Sequence, residues 1–82
     1  MNLFVANFNQ DTTEDELDEL FTSYGKVTNV KILTDFETGE SRGFGFVEFK
    51  EDRDARDAIE QLDGKRWHGK HLKVSEARTQ SW

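Results

Sequence analysis

The chain has 82 residues, enough for one domain and too few for two. Hydrophobic and charged residues each make up 34%, which describes a well-solvated globule, and no apolar run approaches the ~18 residues of a membrane span. Without cysteine there are no disulfides, thiol nucleophiles or thiolate metal sites; His68 and His71 alone are too few to hold a metal, and no cofactor is expected.

Residues 3–8 (LFVANF) form a short apolar and aromatic run that predicts a buried strand. Neither a basic segment nor a cleavable apolar stretch precedes it, so no secretory signal is expected. The expected location is cytoplasmic, or nuclear for a domain excised from a eukaryotic protein. Thr13 and Glu16 have capping-box spacing at the start of a helix. Leu17, Leu20, Phe21 and Tyr24 then recur at i, i+3, i+4 and i+7 along one face, and Gly25 is the expected left-handed stop. Residues 11–24, which include this helix, carry Asp11, Glu14, Asp15, Glu16, Asp18 and Glu19 with no base. Most of that face reads as solvated surface.

Val27 to Leu33 is β-branched and roughly alternating, with Val30 and Ile32 on one side. Thr34 to Ser41 is polar and predicts a loop; Phe36 within it would clasp a ligand or fold onto the sheet edge. Phe44 to Phe49 makes the third strand. Asp52 is the expected cap of a second helix with apolar positions Ala55, Ala58, Ile59 and Leu62, ended by Gly64. Trp67 is expected to pack under this helix. His71 to Ser75 makes the last strand, with Leu72 and Val74 facing inward. Phe8, Phe21, Phe49 and Tyr24 are the expected aromatic core. The order β-α-β-β-α-β predicts an α+β, ferredoxin-like split βαβ fold: a four-stranded antiparallel sheet with two helices on one face.

Side chains alternate along a strand, so the inward set fixes the outward set. If Leu3, Val5, Val47 and Phe49 face the helices, then Phe4, Ala6, Arg42, Phe44, Phe46 and Glu48 face solvent. Right-handed crossovers bring the first and third strands side by side at the centre of the sheet. Three phenylalanines then share one open patch with an arginine at its edge, and such patches usually mark a binding surface.

The net charge of −6 would by itself argue against a nucleic-acid partner. Its distribution argues otherwise. Residues 65–82 hold Lys65, Arg66, Lys70, Lys73 and Arg78 against Glu76 alone, and the acids concentrate in the helices behind the sheet. Arg42, Lys31, Lys73, Lys70 and Arg78 are expected on the front or its border. Glu48 on that face, and Asp35, Glu37 and Glu40 in the loop, would weaken attraction to phosphate.

Arg42-Gly43-Phe44-Gly45-Phe46-Val47-Glu48-Phe49 satisfies every position of the octamer K/R-G-F/Y-G/A-F-V-x-F/Y. Leu3-Phe4-Val5-Ala6-Asn7-Phe8 resembles the partner hexamer, with Ala6 where glycine is common and Phe8 where leucine is common. The chain thus resembles an RNA recognition motif domain over residues 1–78, with 79–82 as a C-terminal tail. The resemblance implies non-catalytic binding of short single-stranded RNA, with single-stranded DNA as a second ligand that stacking would also serve. Phe4 and Phe44 would stack under bases, Phe46 would lie against sugars or a third ring, and Arg42 would pair with phosphate. Asn29, Lys31, Lys73, Ser75, the backbone near Glu76 and Ala77, and Arg78 would surround the bases. Trp82 would fold over the aromatic patch or remain an unstructured end.

The other reading is protein recognition through the acidic first helix and Lys65-Arg66-Trp67, the place where a protein-binding subclass resembling this domain has Arg-x-Phe. Both defining positions differ here. An enzyme lacks support: no nucleophile constellation is present, and Gly43 and Gly45 lie inside a strand rather than a phosphate loop. A monomer is expected.

Overall fold

A computed structural model describes residues 1–9, 11–34 and 41–77, with the side chains of Thr34, Ser41 and Arg42 outside that description. The elements are β1 (Asn2–Ala6), α1 (Glu14–Thr22), β2 (Val27–Thr34), β3 (Ser41–Phe49), α2 (Asp52–Leu62), β4 (Arg66–Trp67), β5 (Lys70–His71) and β6 (Lys73–Glu76). Four of the strands form one sheet in the order β2-β3-β1-β6, antiparallel at each pairing. The fold is the expected ferredoxin-like βαββαβ arrangement, with β1 and β3 at its centre. Among the described residues, no helix is long and apolar enough to cross a membrane.

The core forms where both helices lie on one side of the sheet. Leu3, Val5, Ile32, Val47, Phe49 and Val74 from the strands, with Leu72 between β5 and β6, meet Leu17 and Phe21 of α1 and Ala55, Ala58 and Leu62 of α2. Phe21 and Phe49 pack edge to face, with ring centroids 6.1 Å apart. Phe8 lies just past the end of β1 and turns back into this core. Leu20, Tyr24 and Ile59 are only half-buried at its margin.

Local chemistry explains where the helices begin and end. Thr13 accepts from the Glu16 amide at 3.2 Å, and the Glu16 carboxylate accepts from the Thr13 amide at 3.1 Å, a complete capping box. At the other end of α1 the expected left-handed glycine is absent. Ser23 caps in the right-handed region, and the Tyr24 amide closes a tightened turn on the Phe21 carbonyl at 3.0 Å. Gly25 is needed for space instead: a Cβ there would collide with Asp54 of α2. The α2 cap also differs from expectation. Glu51 occupies the cap position without a side-chain hydrogen bond, and Asp52 is the first helical residue, where its charge suits the helix dipole.

The segment after α2 holds an element that the sequence reading lacked. Residues 66–71 form a separate two-stranded hairpin, β4–β5, before the edge strand β6. His68 and Gly69 both adopt left-handed φ values, 52° and 83°, as a two-residue type I′ turn requires. Trp67 is half-buried against the core and shares a groove beside α1 with Glu16, Glu19, Leu20, Ser23 and His68.

Both sheet edges are guarded by carboxylates. The Ile32 amide of β2 donates to Glu14 Oε2 at 2.9 Å, and the Val74 amide of β6 donates to Asp63 Oδ1 at 3.0 Å. Each acid satisfies an outward-pointing amide that could otherwise pair with another chain.

Thr13→Ala is expected to lower the unfolding free energy by about 1 kcal/mol in urea melts. Leu17→Ala, which empties a fully buried site, is expected to cost about 2–5 kcal/mol. A Leu17→Ala loss below about 1 kcal/mol would contradict the packing of α1 on the sheet.

Candidate functional site

Register sets the open face. Phe4 lies opposite Phe46 on one side and Ser75 on the other, and Lys31 lies opposite Phe46, so one row reads Lys31, Phe46, Phe4, Ser75. A neighbouring row reads Phe44, Ala6, Lys73, and the row on the other side reads Asn29, Glu48, Asn2. The inward residues Leu3, Val5 and Val47 are fully buried, which forces Phe4 and Phe46 to the opposite surface.

The three rings form a connected patch centred on Phe4. Its centroid is 5.9 Å from Phe44, at an interplanar angle of 38°, and 5.7 Å from Phe46, which it meets edge-on at 61°. All three are half-buried rather than fully exposed, because they cover one another. Each ring thus contributes some stability while keeping part of its surface open.

The polar candidates border this patch. Asn29, Lys31, Lys73 and Ser75 are exposed on the outward phase of β2 and β6. The Ala77 amide donates to the Asn2 carbonyl at 2.9 Å, which fixes the end of β6 against β1. The backbone of Arg42 lies in β3, but its side chain falls outside the described residues, as do Arg78, Phe36, Trp82 and the loop acids Asp35, Glu37 and Glu40. Glu48 is engaged: its Oε1 accepts from the Thr28 hydroxyl at 2.9 Å, toward the edge of the sheet.

Two features of this face escaped the sequence reading. Asn2 continues the outward phase of Phe4, yet it is 3% exposed and neither amide atom has a hydrogen-bond partner. A buried amide without partners is unusual and destabilising. Alternation would have placed Asn2 on this face, but no sequence signal reveals its burial. The second is Asn7, whose left-handed φ of 64° aims its side chain away from the strand. Its Nδ2 donates to the His71 carbonyl at 2.8 Å and its amide to the Gly43 carbonyl at 2.9 Å. One residue thus ties the β4–β5 hairpin and β3 to the end of β1.

The glycines of β3 serve different needs. A Cβ on Gly45 would run into the Lys31 carbonyl oxygen of β2, whereas one on Gly43 would find room, its φ of 81° being the obstacle. Gly43→Ala is expected to cost about 1–2 kcal/mol of stability. Gly45→Ala is expected to cost more, because the β2 backbone must move. Equal losses in thermal melts of the two variants would contradict the close β2–β3 approach.

A family model described as RNA recognition motif matches residues 3–73. RbpA of Synechocystis sp. (strain ATCC 27184 / PCC 6803 / Kazusa) is 46% identical over 78 residues, covering 95% of this chain and 77% of that protein. The crystal structure of RNA Binding Protein PG1 superposes with a TM-score of 0.96 at 45% identity, covering 100% of this chain and 99% of that one. A Sex-lethal protein/RNA complex superposes with a TM-score of 0.90 at 40% identity, covering 98% of this chain and 48% of that one.

Proposed function

The chain belongs to the RNA recognition motif family, and from that premise we propose that its open sheet face binds about two to four nucleotides of single-stranded RNA by base stacking. The observation that carries this reading is the patch of three contiguous half-exposed rings, Phe4, Phe44 and Phe46, on a sheet whose other face is sealed by helices. Every base has a π face, so such rings accept any sequence, and unpaired bases can lie flat where a duplex would hide theirs. The family is a non-catalytic one, and the Sex-lethal complex supports RNA as the ligand class.

In this reading Phe4 and Phe44 each stack under a base, and Phe46 lies against the sugars between them. Arg42 pairs with a phosphate, and Lys31 and Lys73 meet base edges. Asn29, Ser75 and the backbone near Ala77 supply neutral hydrogen bonds, with Arg78 beyond them. RNA is preferred to DNA where one of these groups meets a 2′-hydroxyl.

Stacking is worth roughly 1–3 kcal/mol per base, and ordering the strand takes part of that back, so two or three bases give a dissociation constant nearer micromolar than nanomolar. The rear acids act through screening: the molecule measures 20 Å along its shortest axis, against a Debye length of about 8 Å at physiological salt. They weaken association without removing recognition.

Phe44→Leu keeps apolar bulk beneath the patch and removes the ring. It is expected to leave the chain folded, by unfolding midpoint, and to weaken binding of a short single-stranded RNA by roughly 1–3 kcal/mol in a fluorescence titration. Unchanged affinity in the folded variant would contradict stacking on Phe44.

A further inference from the structure

The open face does not end at Phe44. Beyond the row formed by Phe44, Ala6 and Lys73, the surface descends into a recess of about 370 Å³ lined by Phe4, Ala6, Asn7, Phe8, Gly43, Phe44 and Lys70. Its walls combine two rings of the stacking patch with backbone at the ends of β1 and β3. Among the described residues, Lys70, from the hairpin, is the charged one in the lining, and no acid lines it.

The recess is held in shape before any ligand arrives. Lys70 starts β5, immediately after a tight turn whose two central residues both have positive φ. The Leu72 amide donates to the Lys65 carbonyl at 2.9 Å and closes the base of the hairpin. Asn7 then binds the hairpin to the main sheet through the His71 carbonyl. Among the described residues, no carboxylate lies within ion-pair distance of the Lys70 ammonium. An uncommitted cation at the lip of an aromatic recess suits a group that carries a planar ring and an anion together.

We propose that this recess is an additional nucleotide subsite, in which the RNA strand continues past Phe44, its next base enters against the Phe44 edge, and Lys70 takes the attached phosphate. The proposal rests on the sheet-binding reading above and extends it to a residue outside the sheet. Continuity with the ring patch and charge complementarity favour the same strand over a separate ligand. The hairpin thereby acquires a binding role.

The test compares affinities for a three-nucleotide and a five-nucleotide single-stranded RNA between 50 and 200 mM salt, for the unaltered chain, Lys70→Gln, Phe44→Leu and Lys50→Gln. Lys50 is an exposed lysine at the far end of β3 from the recess, so its variant controls for the change in net charge. The expected result for Lys70→Gln is a loss of the affinity gained on lengthening, with the slope of log K against log salt shallower by about 0.7 for the longer RNA only. Lys50→Gln is expected to leave that slope unchanged. Several outcomes overturn the subsite. If Phe44→Leu weakens binding and Lys70→Gln does not, the recess is empty while the sheet reading stands. An equal effect of Lys70→Gln on both lengths would put Lys70 on the main track, with no separate subsite. If neither variant changes affinity, the sheet reading fails together with the recess.

Discussion

The structure depends on the phase of β1. This five-residue strand is paired on both sides, with β3 and β6, and its inward residues Leu3 and Val5 are wholly withdrawn from water. A shift of one residue would bury Phe4 and expose Leu3 and Val5, at a cost of several kilocalories per mole of lost burial. Because that phase is fixed, Phe4 must face away from the helices, and the registers with β3 bring Phe46 opposite it and Phe44 one row along. The ring patch is thus a consequence of how the core is sealed. The backbone that presents the rings is fixed by the same pairings that seal the core, which lowers the cost of ordering the platform on binding.

The acidic balance of the chain looks different once its carboxylates are placed. Glu16 completes the cap of α1, Glu14 and Asp63 satisfy amides at the two sheet edges, and Glu48 is tied to Thr28. These four acids are acceptors in the fold's own hydrogen bonding. The remaining acids of α1 and α2 lie on helix surfaces behind the sheet. The total charge therefore says little about the field in front of Phe4 and Phe44, where Lys31, Lys73 and Lys70 stand with Glu48 to one side.

The sequence made the fold legible because two periodicities agreed: the i, i+3, i+4, i+7 spacing of Leu17, Phe21, Ala55, Ala58 and Leu62, and the alternation of Leu3, Val5, Val47 and Phe49. The patch followed from that alternation and from the octamer around Phe44. What sequence did not carry was anything set by contacts between distant segments. Gly25 looks like a helix stop, but its small size answers to Asp54, twenty-nine positions away in sequence. The β4–β5 hairpin is too short for periodicity to register, and Asn7 reaches His71 only through a left-handed backbone. Trp67 reads as apolar from sequence, but only the hairpin geometry brings it to the groove beside α1. Asn2 shares the phase of Phe4 and gave no sign that it would be buried without partners.

The central claim is that the ring-bearing sheet face, and not a helix face, receives the ligand. Amide-shift NMR titration of the labelled chain with a randomised pool of short single-stranded RNA, at low and at physiological salt, tests it most directly. The account predicts shifts concentrated at Phe4, Phe44, Phe46 and residues 71–77, smaller at the higher salt but in the same places. Shifts confined to α1 and Lys65–His68, or none at either salt, would contradict it and direct attention to the groove beside Trp67.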